Sequence, residues 1–184
     1  MRGGPPRTRP AVFLDRDGVI NRVDVCRGIP HPPASLCDLV ILPGVPEALT
    51  TLKAQGYALI VVTNQPDVAR GTTSVESVAS IHAHLEETLD IDAILACFHD
   101  NADACDCRKP KPGLLLQAAD AFGIDLPSSF MVGDRWRDVE AGRQAGCRTL
   151  WINNGYLDKQ AVEYDFCVRS LSEAAAVILG RAAP

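Results

Sequence analysis

Two carboxylate side chains follow directly after an apolar segment near the start of this 184-residue chain. Asp15 and Asp17 come after residues 11–14 (AVFL) and are separated by Arg16. Carboxylates at this spacing can share a divalent cation, or one can act as a nucleophile while the other donates a proton. Because Asp-x-Asp is also common in ordinary turns, the pair alone leaves both interpretations open.

A hydroxyl and two amides follow a second apolar segment. Thr63, Asn64 and Gln65 come directly after residues 58–62 (ALIVV). At the end of a strand, such neutral donors can bind phosphate oxygens without adding charge. The same side chains also cap helices and turns, so this pattern too has a purely structural interpretation.

A second pair of carboxylates lies beyond residues 130–132 (FMV). Asp134 follows Gly133, and Asp138 lies four residues further along. Mg²⁺ is typically bound by one or two carboxylates together with phosphate and water, so Asp134 can complete an oxygen shell for it. Asp138 can support such a site, or it can simply stabilise the N-terminus of a helix.

Residues 96–113, ACFHDNADACDCRKPKPG, contain three cysteines and one histidine directly before a basic, proline-containing run. A disulfide is disfavoured because C-x-C is a poor geometry for a local bridge and because we expect a reducing compartment. A catalytic zinc needs an open coordination position, whereas four candidate ligands leave none. A closed structural zinc site formed by Cys97, His99, Cys105 and Cys107 fits best, but the C-x-H…C-x-C spacing departs from the common C-x₂-C zinc motifs, so the pattern alone does not establish it. Lys109, just beyond it, can place positive charge beside a transferring phosphoryl group.

The composition is that of a globular protein, with 47% hydrophobic and 22% charged residues. The net charge of −5 gives no general attraction to nucleic acid or to an anionic membrane. No apolar run approaches the roughly 18–20 residues of a membrane span. The basic start, MRGGPPRTRP, has no apolar segment behind it. We therefore expect a flexible leader over residues 1–10 and a single cytoplasmic, monomeric domain over residues 11–184.

Short apolar runs alternate with helical patterns along the chain. Strands are predicted at residues 11–14, 58–62, 94–98, 130–132 and 149–152, and helices at 45–55, 74–89, after Pro112, at 137–145 and at 172–179. Thr73 and Glu76 have capping-box spacing at the second helix. This alternation predicts an α/β fold with a parallel sheet between two layers of helices, and ligands beyond the carboxyl ends of the strands. The Pro-rich residues 28–35 are predicted to form a long loop.

Residues outside these motifs receive mostly structural predictions. Cys147 and Cys167 are predicted to be small buried hydrophobic side chains. His82 and His84, on a predicted helix, are expected to be ordinary packing or surface residues. The roles of Cys26 and Cys37 stay open.

The order of these motifs resembles the haloacid dehalogenase superfamily of aspartate-nucleophile phosphatases. The segments FLDRDGVIN, VVTNQPDVARG, RKPKPG and MVGDRWRDVEAG carry the resemblance, which covers residues 11–153. They are most similar to the small, nearly capless branch that includes heptose bisphosphate and histidinol-phosphate phosphatases. The resemblance implies a three-layer, Rossmann-like parallel sheet in which a zinc-stapled loop replaces the cap domain.

The resemblance also implies a mechanism. Asp15 would attack phosphorus and form an aspartyl-phosphate, while Asp17 would protonate the leaving group and then activate water. Catalytic Mg²⁺ would be held by the side chains of Asp15 and Asp134 and the backbone carbonyl of Asp17, and the zinc would be structural. Thr63 and Lys109 would hold the phosphoryl oxygens, with Asp138 in a supporting role.

The substrate is expected to be a small sugar phosphate, bound with help from Arg16, Asn64, Gln65 and Arg108. A bisphosphate explains the arginines best, which favours the C7 phosphate of a heptose 1,7-bisphosphate, with histidinol phosphate or another small phosphomonoester as the alternative. A remote alternative is a non-catalytic zinc knuckle that binds nucleic acid. Acidic net charge and an aromatic content of only 5% argue against it.

Overall fold

A six-stranded parallel sheet forms the centre of the protein in the computed structural model, which describes residues 8–181. Its strands in chain order are β1 (Ala11–Leu14), β4 (Ala58–Asn64), β5 (Ala93–Cys97), β6 (Phe130–Gly133), β7 (Arg148–Ile152) and β8 (Phe166–Val168), and a separate antiparallel hairpin is made of β2 (Asp24–Cys26) and β3 (Ile29–His31). The order across the sheet is β5-β4-β1-β6-β7-β8. The helices are α1 (Val45–Ala54), α2 (Val75–Thr88), α3 (Gly113–Phe122), α4 (Trp136–Ala145) and α5 (Leu171–Ile178).

Alternating side chains of the strands supply two hydrophobic layers. In β1, Val12 and Leu14 face the layer completed by α1, α2 and α5, whereas Ala11 and Phe13 face the layer completed by α3 and α4. All four of these side chains are fully buried, as expected for a parallel sheet covered on both faces. The predicted three-layer α/β fold is therefore confirmed.

The helix boundaries differ from the predictions by at most a residue or two. The cap of α2 is Ser74 and not Thr73, because the Ser74 side chain accepts the backbone N–H of Ser77. The helix α4 ends at Ala145, as predicted, and Gly146 follows it in the left-handed conformation that favours glycine.

The predicted long loop at residues 28–35 begins instead with a β-strand. β2 and β3 pair antiparallel, and their connection, Arg27 and Gly28, has positive φ at both residues. This is the geometry of a tight hairpin turn. The Pro-rich sequence argued against a strand, so the hairpin was not predicted. Pro30 is tolerated because it lies at an edge position, where its missing N–H is not needed.

The structure describes the last part of the predicted leader, and one cysteine differs from expectation. Residues 1–7 of the predicted leader lie outside the described residues, but Arg9 and Pro10 form backbone hydrogen bonds with Gly123 and Ala58. Cys147 is buried as predicted, whereas Cys167 is exposed. The prediction for Cys167 was wrong because this residue lies on the outward face of β8, at the edge of the sheet. Within residues 8–181, no helix is long and apolar enough to cross a membrane.

Candidate active site

The polar groups that follow four of the strands meet beside one cavity. Its volume is about 310 Å³, and it lies beyond the carboxyl ends of the parallel strands. The side chains that line it include predicted site residues from all four segments: Asp15, Asp17, Asn64, Arg108, Lys109, Asp134 and Asp138. The structure thus brings together the residues that the strand-end argument selected.

Lys109 is the charged centre of this cavity wall. Its ammonium nitrogen lies 3.0 Å from Asp15 Oδ1 and 2.6 Å from Asp138 Oδ1, and the side chain is 1% exposed. Burial opposes the charge of Lys109, but the two carboxylates outweigh it and raise the pKa of the ammonium. Asp138 also accepts the backbone N–H of Arg135 through Oδ2. Both oxygens of Asp138 are therefore occupied, and it anchors Lys109.

The carboxylates of Asp15, Asp134 and Asp138 outnumber the Lys109 ammonium that neutralises them. Burial, followed by repulsion from Asp138, raises the pKa of Asp15 to about 7. Burial and the charges of Asp15 and Asp138 likewise raise the pKa of Asp134. Oδ1 of Asp134 is buried without a hydrogen-bond partner among the described residues. An unpartnered carboxylate oxygen beside a second buried carboxylate is a suitable donor set for a hard divalent cation.

Asp17 accepts hydrogen bonds from two side chains of its own turn and from one that follows β4. The Arg16 guanidinium donates to both of its oxygens, Asn21 Nδ2 donates to Oδ1 at 3.0 Å, and Gln65 Nε2 donates to Oδ2 at 2.7 Å. Arg16 itself is fully buried and also contacts Gln65 and His82. The structure therefore places Arg16, predicted to bind substrate, behind Asp17 and not on the cavity wall.

The three polar residues at the end of β4 take different positions. Thr63 is fully buried, and its hydroxyl accepts a hydrogen bond of 2.9 Å from Gln65, which is also buried. Only Asn64 lines the cavity. Asn64 binds the backbone of Lys109 twice, by donating to its carbonyl and by accepting its N–H. The predicted substrate ligand Asn64 thus also fixes the chain at Lys109.

The three cysteines and the histidine that follow β5 converge. One potential ligand atom from each lies within 4.8 Å of all the others: Cys97, His99, Cys105 and Cys107. Sulfur–sulfur separations run from 3.1 to 3.8 Å, and Nδ1 of His99 lies 3.3 Å from Cys107 Sγ. Three sulfurs and one imidazole nitrogen at such separations suit tetrahedral zinc.

This cluster is joined directly to the cavity wall. Arg108 lies between Cys107 and Lys109 in the chain, and it donates to the backbone carbonyl of His99 and to the side chain of Asn101. Its side chain is only 12% exposed. The conformation of the cysteine loop therefore determines where Arg108 and Lys109 lie.

Several cavity residues were not selected from the sequence. Arg70, Arg135, Arg137 and His31 line the cavity, and the last of these lies on β3. The arginines of the segment GDRWRD carried a usable signal, because basic side chains one and three residues after a strand-end aspartate lie near the same sheet edge. His31 carried none, because the hairpin itself was not predicted.

A parallel α/β sheet with an Asp-x-Asp turn, a buried lysine and a distal aspartate at one cavity belongs to a hydrolase of the phosphatase class. The chain belongs to the haloacid dehalogenase-like hydrolase family, whose model matches residues 34–146. The resemblance seen in the sequence is thereby confirmed.

The chain is similar to several phosphatases of that family. It is 41% identical to the D-glycero-beta-D-manno-heptose-1,7-bisphosphate 7-phosphatase of Photorhabdus laumondii, over 74% of this chain and 76% of that protein. Identity to the enzyme of the same name from Vibrio cholerae is 40%, over 77% and 79% of the two chains. The crystal structure of D,D-heptose 1,7-bisphosphate phosphatase from B. bronchiseptica, complexed with magnesium and phosphate, superposes with a TM-score of 0.80 at 30% identity, covering 94% of this chain and 99% of that one.

Proposed function

We propose that this protein is a Mg²⁺-dependent phosphatase that hydrolyses the C7 phosphate of D-glycero-D-manno-heptose 1,7-bisphosphate in the cytoplasm. The observation that carries the proposal is the contact of 3.0 Å between the Asp15 carboxylate and the Lys109 ammonium on the wall of the cavity. A carboxylate nucleophile that attacks a phosphate dianion needs such a cation, because the two anions otherwise repel each other. The names of the similar proteins support the choice of substrate.

Asp15 and Asp134 would hold the magnesium ion, together with the backbone carbonyl of Asp17. The unpartnered Oδ1 of buried Asp134 supports this assignment. When bound, the ion supplies positive charge that neutralises the phosphoryl oxygens and orients them for in-line attack. Asp138 lies in the same cluster of carboxylates, but its oxygens already contact Lys109 and the Arg135 N–H, which favours a supporting role for it.

Asp15 would attack phosphorus, so that its oxygen forms a P–O bond while the bond to the sugar C7 oxygen breaks. Asp17 would give a proton to the departing alkoxide and would then take one from the water that attacks the aspartyl-phosphate. That second step releases inorganic phosphate and restores the Asp15 carboxylate. Lys109 contacts the reacting carboxylate and is placed to screen charge in both steps.

Asp17 cannot donate a proton while all its present partners are retained. Both oxygens accept hydrogen bonds from Arg16, and Gln65 donates to Oδ2 as well. Donation to the leaving group requires the carboxyl to rotate toward the cavity and to release at least one of these donors. Gln65 also contacts Thr63, so Thr63 acts on the phosphoryl group only if this small network rearranges.

Arg108 is the proposed ligand of the phosphate that is not cleaved. It lines the cavity beside Lys109, and its neighbours Arg70 and Arg137 line it too. Burial, followed by the nearby charges of Arg135 and Arg108, lowers the pKa of Arg137. Cationic side chains that converge in this way favour a second anionic group on the substrate.

The cysteine and histidine cluster would hold a structural zinc ion. Its four ligands leave no open position, so it would fix Arg108 and Lys109 without taking part in the reaction. Residues 11–184 would form the single catalytic domain of a monomer, and the enzyme would need no nucleic acid or membrane partner. The acidic net charge agrees with this.

Phosphate release from an aryl phosphate, with and without Mg²⁺, tests the reaction class. The kcat/KM values for the two anomers of heptose bisphosphate and for histidinol phosphate test the substrate. We expect Mg²⁺-dependent turnover and a preference of at least about 100-fold for a heptose bisphosphate, because a substrate without the second phosphate leaves Arg108 unpaired, and loss of one partner of a buried charge pair costs about 2–5 kcal/mol. A preference for histidinol phosphate would show that the proposed heptose substrate is wrong. If no phosphate is released in the presence of Mg²⁺, the result favours the non-catalytic zinc knuckle.

A further inference from the structure

The segment that follows β7 contacts Asp134, the proposed magnesium ligand. Tyr156 is 7% exposed, and its hydroxyl donates to Asp134 Oδ2 at 2.8 Å. Nδ2 of Asn154 lies 3.3 Å from the same oxygen and 3.0 Å from the Tyr156 hydroxyl. Asp134 Oδ2 is therefore held by two side chains that follow it by about twenty residues in the chain.

The contacts of Asp134 are divided between its two oxygens. Oδ2 accepts from Tyr156 and Asn154, whereas Oδ1 is buried without a partner among residues 8–181. A carboxylate that rotates freely would present either oxygen to a cation. The two donors restrict that rotation and leave Oδ1 as the oxygen without a partner among the described residues.

The turn formed by residues 15–18, which carries the proposed nucleophile Asp15, packs against Asp134 and Tyr156. A Cβ atom on Gly18 would lie 1.8 Å from Asp134 Oδ2 and 2.9 Å from the Tyr156 hydroxyl. Asn154 also donates to the carbonyl oxygen of Gly18. The hydroxyl, the carboxylate and the Asp15–Gly18 turn are thus packed together without room for a side chain.

The segment is itself anchored on both sides. The Leu157 N–H donates to the carbonyl of Gly28 in the hairpin turn at 2.8 Å, and the Arg135 guanidinium lies over the Tyr156 ring at 5.8 Å. Arg135 in turn pairs with Asp158. These contacts restrict the position of the ring and hold its hydroxyl beside Asp134.

We propose that Tyr156, assisted by Asn154, is a positioning residue for the magnesium site: it fixes Asp134 through Oδ2 so that Oδ1 faces the cation. This inference rests on the proposed function. Partners of metal ligands contribute about 10- to 100-fold to metal affinity in other proteins. Tyr156 does not reach the phosphoryl group through any contact in the structure, so its influence on the reaction passes through Asp134.

The test is titration of the zinc-loaded, full-length protein with Mg²⁺ alone, followed by calorimetry, with Tyr156→Phe as the main variant. We expect the Kd for Mg²⁺ to rise about tenfold, and kcat at saturating Mg²⁺ to stay within about twofold of wild type. Tyr57→Phe is the matched control, because it removes a hydroxyl from a ring that packs against Phe130, away from the cavity. This control should bind Mg²⁺ like wild type.

Asn154→Ala provides the second variant should Tyr156→Phe fold poorly. Asn154 is exposed, and its contact with Asp134 is longer, so we expect a smaller rise in Kd than Tyr156→Phe gives. Unchanged Mg²⁺ affinity in a folded Tyr156→Phe protein, or in Asn154→Ala if the first is unfolded, overturns the inference while wild-type turnover leaves the proposed function intact. A wild-type protein without Mg²⁺-dependent turnover overturns the proposed function itself.

Discussion

The Lys109 ammonium lies 2.6 Å from the Asp138 carboxylate, and both side chains are almost completely buried. Lys109 also contacts Asp15 at 3.0 Å. One cation is thus shared between a residue that anchors it and the proposed nucleophile. Gly133, directly before Asp134, makes room for this arrangement, because a Cβ atom there would lie 2.0 Å from Asp138 Cβ.

Replacement of Asp138 by asparagine should lower activity more than binding. The asparagine side chain keeps the shape and an acceptor for the Arg135 N–H but lacks the charge that holds Lys109, so Lys109 should turn fully toward Asp15. We expect kcat to fall about 10- to 100-fold, because a misplacement of a catalytic group by about 1 Å can cost about 100-fold, with a smaller change in KM. Steady-state kinetics at saturating Mg²⁺ measure this.

The control for that variant is Asp120→Asn, which removes the same charge from an exposed position on α3. Its kinetics should equal those of wild type. A wild-type kcat in Asp138→Asn would show that Lys109 does not need this anchor.

Replacement of Asp15 by asparagine should abolish turnover while the fold stays intact. The amide is isosteric but is not a nucleophile toward phosphorus. Because burial and neighbouring carboxylates raise the pKa of Asp15 to about 7, the ionised form is unfavourable in the metal-free fold, and its removal should not lower the melting temperature. Kinetics and a thermal melt of the metal-free variant test both statements. Near-wild-type turnover would exclude the aspartyl-phosphate mechanism.

The positions of Asp15, Lys109 and Asp134 were predictable because parallel strands end at one edge of the sheet, so local sequence determines the location. The direction in which each side chain points was not predictable from the local sequence. Arg16 and Asp17 are neighbours at the same turn, but Arg16 is buried against Gln65 and His82. Their separation depends on partners that lie about fifty or more residues away in the sequence.

The role of Tyr156 had no local signal either. It contacts Asp134 only because β7 lies next to β6, which brings the segment after β7 to the same edge of the sheet. The hairpin of β2 and β3 was hidden by its prolines. Patterns of residue type predicted the layers and the strand ends, whereas long-range contacts determined which groups face the cavity.

The stability of the protein should decrease in acid partly because of His82. Its Nε2 lies 3.1 Å from the Arg16 guanidinium, which can only donate, so the imidazole accepts and is neutral. Burial, followed by the charge of Arg16, lowers the pKa of His82 from 6.5 to about 4. Between these values the unfolded chain binds the extra proton, so His82 reduces stability as the pH falls from 6.5 toward 4 and adds no further loss below that.

Urea unfolding at several pH values tests this statement. His82→Gln keeps an acceptor for Arg16 but cannot titrate, so its free energy of unfolding should fall less between pH 7 and pH 4.5 than that of wild type. His84→Gln, on the same helix, retains His82 and should follow the wild-type curve. Parallel curves for wild type and His82→Gln would contradict the assignment.

Loss of the proposed zinc ion should impair the reaction without removing any reacting group. Cys105→Ser breaks the set of four ligands, and Cys37→Ser is the matched control, because Cys37 is exposed and lies outside the cluster. We expect Cys105→Ser to contain no zinc, to melt at a lower temperature, and to lose kcat/KM at saturating Mg²⁺, because Arg108 contacts the backbone of His99 and is displaced together with Lys109. Metal analysis, thermal melts and kinetics on the same samples separate these effects. A zinc-free, folded Cys105→Ser protein with full activity would show that the loop keeps Arg108 and Lys109 in place without a metal ion.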